Sequence, residues 1–283
     1  DGFLWVTCYG KGAAKFDDGI WEAYTTTNSN ILNNYVTALA PTQDGNVLIG
    51  TDAGLSMRSS TGSWYFYVDG SVSYMSISTL KVASDGSFWI GTVDQGYYYY
   101  TTSTGFNHYL PATGFDVNVI EEGSNGNMWL GTDRGLYKFT GTHLNTSSVA
   151  EFTKLNGLSS NMVTSLYFDK EERLWIGYMK GTTASWIDKS GTIHQLNLMN
   201  GADSTTVWDI CEDRKGDIWI ATSGFGLIRY DGVIPHSYKA YNAPDNIKYQ
   251  INDFFTSIGE DKDGNMWFGM ASKGVLKYTL PIE

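Results

Sequence analysis

The chain has little of what marks membrane-spanning, disulfide-stabilised and nucleic-acid-binding proteins. No apolar run approaches the ~20 residues that a spanning helix needs, so we expect no membrane contact by this chain. Its two cysteines, Cys8 and Cys211, lie far apart in the sequence, and we expect both to be free, small, buried apolar residues. Nineteen Lys and Arg against 30 Asp and Glu give a net charge of −11. Because phosphate binding needs clustered cations, this balance argues against nucleic acid as a partner.

Motifs of catalysis and metal binding are also missing. The four histidines follow no ligand spacing such as His-Glu-x-x-His, and the Gly10–Lys15 segment lacks the spacing of a phosphate loop. Carboxylates cluster at Glu121–Glu122, Glu212–Asp213 and Glu260–Asp261, but at equivalent places in a repeating pattern, which indicates architecture rather than one acid–base pair. We therefore predict no catalytic residues, no metal and no cofactor. The histidines are His108, His143, His194 and His236.

What the sequence does have is a repeat. Variants of the phrase Asp-Gly-x-x-Trp-x-Gly-Thr recur along its whole length, with anchors 43, 41, 40, 46, 44 and 48 residues apart. Such a period is typical of solenoids, propellers and arrays. The seven anchors are Trp5, Leu48, Trp89, Trp129, Trp175, Trp219 and Trp267.

Each copy carries the signals of four short strands. In the copy from Met162 to Leu198, four runs rich in β-branched and aromatic residues are each closed by Asn, Asp, Gly or Ser. Most copies place Asp-Gly or Asn-Gly in the first turn, where tight hairpins need positive φ angles. Copy five has Lys170–Arg173 there instead, so we expect a longer or differently shaped turn.

Four-stranded units that repeat about every 40 residues favour a β-propeller over a parallel β-helix, whose repeat is shorter. We predict an all-β, seven-bladed β-propeller of four-stranded antiparallel blades, forming a single domain over residues 1–283. The anchors are expected to be wedges in the core between blades. The terminal blades are expected to be incomplete in this chain, copy one lacking its first strand and copy seven its outer strand.

The repeat resembles the two-component regulator propeller family. The resemblance rests on a first strand that ends in two acidic residues, then Asn-Gly-Asn-x-Trp-x-Gly-Thr and Gly-Leu-Tyr, as in residues 120–139, and on Gly-Leu-x-x-Asn-x-Val at 157–163. It implies the periplasmic sensor part of a hybrid histidine kinase of Bacteroides-type bacteria, associated with glycan breakdown products. Full sensors of that family carry further modules, so a fragment and a stand-alone secreted member both remain open.

The family has no short motif for ligand residues, so the expected site comes from geometry. In a four-stranded blade, the loops between strands two and three and the blade-joining loops emerge on one face. Aromatic rings beside polar and charged groups there suit a carbohydrate, whose rings stack and whose hydroxyls need donors and acceptors. The expected binding residues are Tyr9, Lys11, Asp94, Gln95, Arg134, Tyr178, Lys180, Trp208, Phe225 and Lys273.

These features predict a noncatalytic, periplasmic or extracellular sensor propeller for a small polar ligand such as an oligosaccharide. A homodimer or further sensor modules of a parent protein are open as partners. Two alternatives stay open: a propeller lyase or glycosidase, which needs a His or a close acidic pair at the site, and a protein-interaction scaffold, which needs a broad exposed apolar patch.

Overall fold

The computed structural model describes residues 3–8, 10–17, 19–67, 74–109, 114–140, 149–198, 204–238, 254–271 and 274–279. These residues form seven antiparallel sheets, in each of which the strands follow one another in chain order. The predicted all-β fold with seven blades is confirmed: the sheets are the blades of a β-propeller. In the described part of the chain, the helical structure is one short 3-10 turn at Lys154–Asn156, and no helix has the length and apolarity that a membrane crossing requires.

The blades are numbered in chain order. Blade 1 comprises β1 (Leu4–Cys8), β2 (Gly12–Asp17) and β3 (Ile20–Tyr24); blade 2 comprises β4 (Val36–Pro41), β5 (Val47–Thr51), β6 (Gly54–Arg58) and β7 (Trp64–Phe66). Blade 3 comprises β8 (Ile77–Val82), β9 (Phe88–Thr92), β10 (Tyr97–Thr101) and β11 (Gly105–Tyr109); blade 4 comprises β12 (Val117–Glu122), β13 (Met128–Thr132), β14 (Leu136–Phe139) and β15 (Val149–Phe152).

Blade 5 comprises β16 (Val163–Phe168), β17 (Leu174–Tyr178), β18 (Thr183–Ile187) and β19 (Ile193–Asn197). Blade 6 comprises β20 (Val207–Glu212), β21 (Ile218–Thr222), β22 (Leu227–Tyr230) and β23 (Pro235–Tyr238); blade 7 comprises β24 (Phe255–Glu260), β25 (Asn265–Met270) and β26 (Gly274–Thr279). Among the described residues, blades 1 and 7 have three strands each, as expected.

The chain divides into two compact units, and the boundary runs through blade 4. Unit 1 comprises residues 1–133 and 139–148, and unit 2 comprises residues 134–138 and 149–283. A single domain over 1–283 stays a prediction.

Five of the seven anchors are buried, and those of blades 2, 5 and 6 are wedges against the next blade, as predicted. Trp5 and Trp267 are only partly buried. In unit 2, Trp175 of β17 packs with Val207 and Ile220 of blade 6, and Trp219 of β21 packs with Phe268 of blade 7. In unit 1, Leu48 packs in one cluster with Ile77 and Ile90 of blade 3. Trp89, Trp175, Trp219 and Leu48 are each at most 1% exposed, so burial of the anchors accounts for their repetition.

The glycine of the repeated phrase lets the next blade approach. A Cβ placed on Gly177 would lie 2.5 Å from Cγ1 of Val207, which is closer than two carbon atoms can approach. Blade 6 has Ala221 at this place, fully buried, so the spacing to blade 7 accommodates one methyl group.

The first turn of blade 5 differs from the expectation. Glu172 N–H donates to Asp169 O at 2.8 Å, and Asp169 N–H donates to Arg173 O at 3.1 Å. Blade 6 closes its turn with the same two bonds, in which Gly216 takes the place of Glu172. The prediction of a longer or differently shaped turn was wrong, because Glu172 adopts the left-handed φ of 60° that glycine supplies elsewhere.

Candidate functional site

Main-chain bonds bring the loops between second and third strands beside the segments that lead into first strands. In unit 1, Asp52 N–H donates to Tyr35 O at 3.2 Å and Val93 N–H donates to Ser76 O at 3.0 Å. We call this end of the unit 1 blades, with Tyr35, Asp52, Ser76, Asp94 and Asp116, the unit 1 loop face. The expectation that these two kinds of loop emerge together is confirmed within the unit.

The unit 1 loop face carries carboxylates that hold backbone groups. Asp94 N–H donates to Asp116 Oδ1 at 2.8 Å, and Asp116 N–H donates to Asp133 Oδ1 at 3.1 Å. Ser76 Oγ donates to Asp52 Oδ1 at 2.9 Å. Asp94 itself has a left-handed φ of 62°, which an aspartate tolerates better than most residues do. The sequence reasoning named Asp94 but missed Asp116, which no short motif marks.

Two further predicted residues of unit 1, Lys11 and Gln95, are exposed. Lys11 is exposed in the β1–β2 hairpin, where its N–H donates to Cys8 O at 2.8 Å. Gln95 is exposed, and its carbonyl oxygen is hydrogen-bonded to His108 Nε2 at 2.8 Å. Tyr9, like Lys273 of blade 7, lies outside the described residues.

In unit 2 the corresponding end forms a tighter network. Thr205 N–H donates to Gly181 O at 2.8 Å, and Gly181 N–H donates to Thr205 O at 2.7 Å. Ser223 N–H donates to Thr206 O at 3.0 Å, and Thr206 N–H donates to Ser223 Oγ at 3.1 Å. We call Lys180, Thr205, Thr206, Trp208 and Ser223 the unit 2 loop face. Because its backbone groups hold one another, this surface is preorganised.

Two of the predicted stacking residues are buried and cannot serve as such. Tyr178 is 1% exposed at the end of β17, not in a loop, and burial raises the pKa of its phenol. It takes the place of a threonine that in blades 2, 3 and 6 donates its hydroxyl to the following loop. Phe225 is 8% exposed and belongs to the blade 6 core. Both predictions were wrong, since a ring in the core offers no face to a ligand.

Trp208 is exposed, but on a strand rather than in a blade-joining loop. The first strand of blades 2 to 7 has a register shift against the second strand, and Trp208 lies at the shift in β20, between Val207 and Asp209. The equivalent residues in the other five blades are small and polar: Thr37, Ser78, Asn118, Thr164 and Thr256. Trp208 is 41% exposed at this position.

The small residues at these shifts join consecutive blades. In unit 1, the hydroxyls of Thr37 and Ser78 donate to the carbonyl oxygens of Ile77 and Val117 on the next first strand. In unit 2, Thr164 donates to Val207 O at 2.5 Å, directly before Trp208. The indole of Trp208 therefore adds an exposed aromatic surface where the repeat otherwise has a joining hydroxyl or amide.

Lys180 and Arg134 are both exposed, as a binding residue must be. Lys180 N–H donates to Thr206 Oγ1 at 3.4 Å, which places its backbone on the unit 2 loop face, and its φ of 56° is left-handed. Bulky residues rarely adopt such a φ, and backbone strain is concentrated at functional sites.

The described histidines lie on fourth strands. His194 Nε2 is 2.7 Å from Asp188 Oδ2, and His236 Nε2 is 3.0 Å from Asp231 Oδ2. Backbone N–H groups of Val233 and Ile234, together with His236, lower the pKa of Asp231 to about 2. His143 lies outside the described residues. Within the described part of the chain, no three His, Cys, Asp or Glu side chains lie close enough together to hold a metal ion.

The cysteines differ from the expectation in part. Both are free, but Cys8 is exposed on β1 rather than buried. Cys211 on β20 is partly buried, and burial, together with the nearby carboxylates of Asp209 and Glu260, raises the pKa of its thiol to about 12. Such a thiol stays protonated at neutral pH and is a poor nucleophile.

Four segments match the family model for the two component regulator propeller: residues 30–53, 157–180, 201–224 and 249–272. Each runs from a blade-joining segment through strands one and two to the following loop. The four matched segments are repeats of the two-component regulator propeller type. The family's Gly-Leu-x-x-Asn-x-Val lead-in has a structural role here, since Asn161 Oδ1 accepts the N–H of Lys154 at 2.8 Å and ties the incoming loop.

Known proteins similar to this propeller include a curated histidine kinase and two solved structures. Histidine kinase P4 of Formosa agariphila is 26% identical over 92% of this chain, which spans 21% of that kinase. The extracellular domain of a putative hybrid two component system from B. thetaiotaomicron matches with a TM-score of 0.69 at 20% identity, over 98% of this chain and 45% of that one. An inactive virginiamycin B lyase from Staphylococcus aureus with quinupristin matches with a TM-score of 0.79 at 18% identity, over 99% and 92%.

Proposed function

We propose that this propeller is a noncatalytic, periplasmic or extracellular sensor of a two-component signalling protein, and that it binds an oligosaccharide or a similar small polar ligand. The observation that carries the ligand proposal is Trp208, an exposed indole at a position that is small and polar in the other described blades. Likeness to the extracellular domain of a hybrid two component system supports the sensor role and the location.

The surroundings of Trp208 suit a sugar. Ser223 is partly exposed and brings a hydroxyl group to the unit 2 loop face, and the exposed Lys180 brings a cation. A sugar ring needs an apolar platform together with donors and acceptors fixed in place, and a preorganised surface supplies these at a low entropic cost. Arg134 of unit 2 stays a predicted further contact, and Lys11, Asp94 and Gln95 stay predicted binding residues of unit 1.

A fluorescence and calorimetry screen tests the proposal. The chain is titrated with a panel of oligosaccharides, and any that quenches tryptophan emission is measured by calorimetry with wild type and Trp208→Thr. Loss of a stacking platform is expected to weaken binding by about tenfold or more, roughly 1.4 kcal/mol. Trp21→Thr is the matched control, because Trp21 is 44% exposed on the outer strand β3 of blade 1.

Three results would contradict the proposal: no sugar binds, Trp208→Thr binds as wild type does, or Trp21→Thr loses as much affinity as Trp208→Thr.

Incubating each ligand with the protein and analysing the ligand by mass spectrometry separates the sensor from the lyase or glycosidase alternative. Recovery of intact ligand is expected, whereas a cleaved product would identify an enzyme.

A further inference from the structure

Arg58 breaks the repeat at the seam between blades 1 and 2. It lies opposite Val47, the residue before the anchor of β5. The equivalent positions of blades 3, 6 and 7 hold Tyr100, Tyr230 and Tyr278, as the pairing of β9–β10, β21–β22 and β25–β26 shows. In unit 2, the rings of Tyr230 and Tyr278 pack on the anchor tryptophan of the preceding blade, at 5.9 and 5.8 Å between centroids.

The guanidinium of Arg58 takes the place of that aromatic ring. Its central carbon lies 5.9 Å from the ring centroid of Trp5, the anchor of blade 1, and 5.2 Å from that of Tyr24. Trp5 and Tyr24 stack on each other at 5.4 Å, so two packed rings fix the cation in position. The Nε atom of Arg58 is buried and has no hydrogen-bond partner among the described residues.

A cleft of about 220 Å³ opens beside this cation. Its walls include Phe3, Trp5, Lys15, Arg58 and the turn 60–62, and none of the described residues that line it is acidic. Lys15 lies opposite Trp5 in the β1–β2 ladder, with its Nζ 3.4 Å from the ring centroid of Phe3. Two cations therefore meet two aromatic side chains in one concave space, on a protein whose net charge is −11.

Carboxylates and sulfates form charge-assisted hydrogen bonds with guanidinium and ammonium groups, and the Nη2 atom of Arg58 lies beside Gly62 of the cleft wall. The aromatic walls add a flat apolar surface, which a bare inorganic anion does not use. We propose that this cationic cleft is a binding site for a small organic acid in which a carboxylate or sulfate is attached to a sugar ring. The carboxylate or sulfate binds Arg58 and Lys15, and the ring lies against Phe3 and Trp5.

This cleft shares no residue with the site proposed at Trp208. It includes Gly45 of the β4–β5 turn and the β6–β7 turn, which lie at the end of blade 2 away from Asp52 and the unit 1 loop face. The unit 1 residue Lys11 is exposed in the β1–β2 hairpin, at the other end of that hairpin from Phe3.

Calorimetric titration with D-glucuronate, N-acetylglucosamine 6-sulfate, D-glucose and inorganic sulfate tests the cleft. The two acidic sugars are expected to bind at least tenfold more tightly than glucose and inorganic sulfate. Arg58→Tyr places here the aromatic ring that blades 3, 6 and 7 have, and it is expected to fold well, to fill the cleft and to lower affinity at least tenfold. Lys15→Gln is expected to lower it several-fold, because charge-assisted bonds are the stronger ones.

Lys262→Gln, at an exposed lysine of the β24–β25 turn, and Trp21→Thr are the controls and are expected to keep wild-type affinity for the acidic sugars. The proposal is overturned if neither acidic sugar binds, if Arg58→Tyr and Lys15→Gln bind as wild type does, or if inorganic sulfate binds as tightly as the sugars. Loss of binding in Trp208→Thr alone would move the acidic ligand to the unit 2 loop face and also contradict the cleft. Circular dichroism of each variant establishes that it is folded.

Discussion

The indole N–H of Trp219 donates to Asp213 Oδ2 at 2.8 Å. The same bond recurs in blades 5 and 7, where Trp175 donates to Asp169 at 2.7 Å and Trp267 donates to Asp261 at 2.8 Å. In each case the aspartate directly follows the first strand, six residues before the anchor. The acidic clusters at these strand ends thus satisfy a buried indole and the backbone of the first turn, which is the architectural role that their repetition indicates.

Asp213→Ala is expected to destabilise the protein by about 3 kcal/mol, because Asp213 is fully buried and its loss leaves the Trp219 indole without its acceptor. The Asp213 carboxylate also accepts hydrogen bonds from the N–H groups of Lys215 and Asp217. Urea unfolding measures the change. Asp263→Ala, an exposed turn residue of blade 7, is the control and should change stability by less than about 0.5 kcal/mol. Equal losses would rule out a special role for the bond to the indole.

Asp261 is expected to make stability depend on acid pH. Burial favours its neutral form, but hydrogen bonds from Trp267 and Asn265 outweigh burial and hold the pKa of the carboxyl below its ordinary value of 3.8. A lowered folded-state pKa stabilises the protein fully above about pH 4, and this contribution is lost as the pH falls through the folded-state value. Thermal midpoints between pH 2 and 6 should therefore fall less steeply in Asp261→Asn than in wild type, whereas parallel curves would contradict the assignment.

Glu172→Gly is expected to stabilise the protein by about 0.5–1 kcal/mol. It removes a side chain from a left-handed φ of 60°. The ion pair lost with Lys189 spans 3.0 Å between two exposed side chains and contributes little. The reciprocal change Gly216→Ala, at a φ of 91°, should destabilise by about 1 kcal/mol. Chemical denaturation of both variants checks the pair, and a loss of stability in Glu172→Gly would be the opposite of this expectation.

Gly177→Ala is expected to lower the free energy of unfolding by about 1–3 kcal/mol, because its new methyl group would overlap Val207 of the next blade and force the sheets apart. Gly259→Ala is the matched control: it also lies on a strand of unit 2, and a Cβ there meets nothing within 4 Å. Thermal unfolding should separate the two variants clearly. Similar midpoints would show that blades 5 and 6 can adjust to a methyl group at their contact.

Trp208→Thr is expected to change the free energy of unfolding by less than about 0.5 kcal/mol. Trp208 is 41% exposed, and blades 2, 5 and 7 have threonine at this register shift. Unfolding in urea measures this. A large loss would indicate that the indole supports blade 6 instead of offering a surface to a ligand.

The sequence alone determined the seven blades, the second-strand place of the anchors and the burial of five of them, because these depend on signals local to each copy. Turn glycines, β-branched runs and a large apolar residue at a fixed place act within one blade and its nearest neighbour. The same local character explains why the carboxylate clusters could be assigned to architecture without coordinates.

Tertiary structure decided which of the residues that differ from blade to blade face solvent. Tyr178 and Phe225 stand near loops in the sequence, yet both are buried by packing that the loop composition does not encode. Trp208 owes its exposure to a register shift between β20 and β21, and Arg58 owes its position against Trp5 to the pairing of two strands and the seam between two blades. Exposure and donor satisfaction depend on contacts between segments distant in sequence, so only the folded chain distinguishes a binding surface from the core.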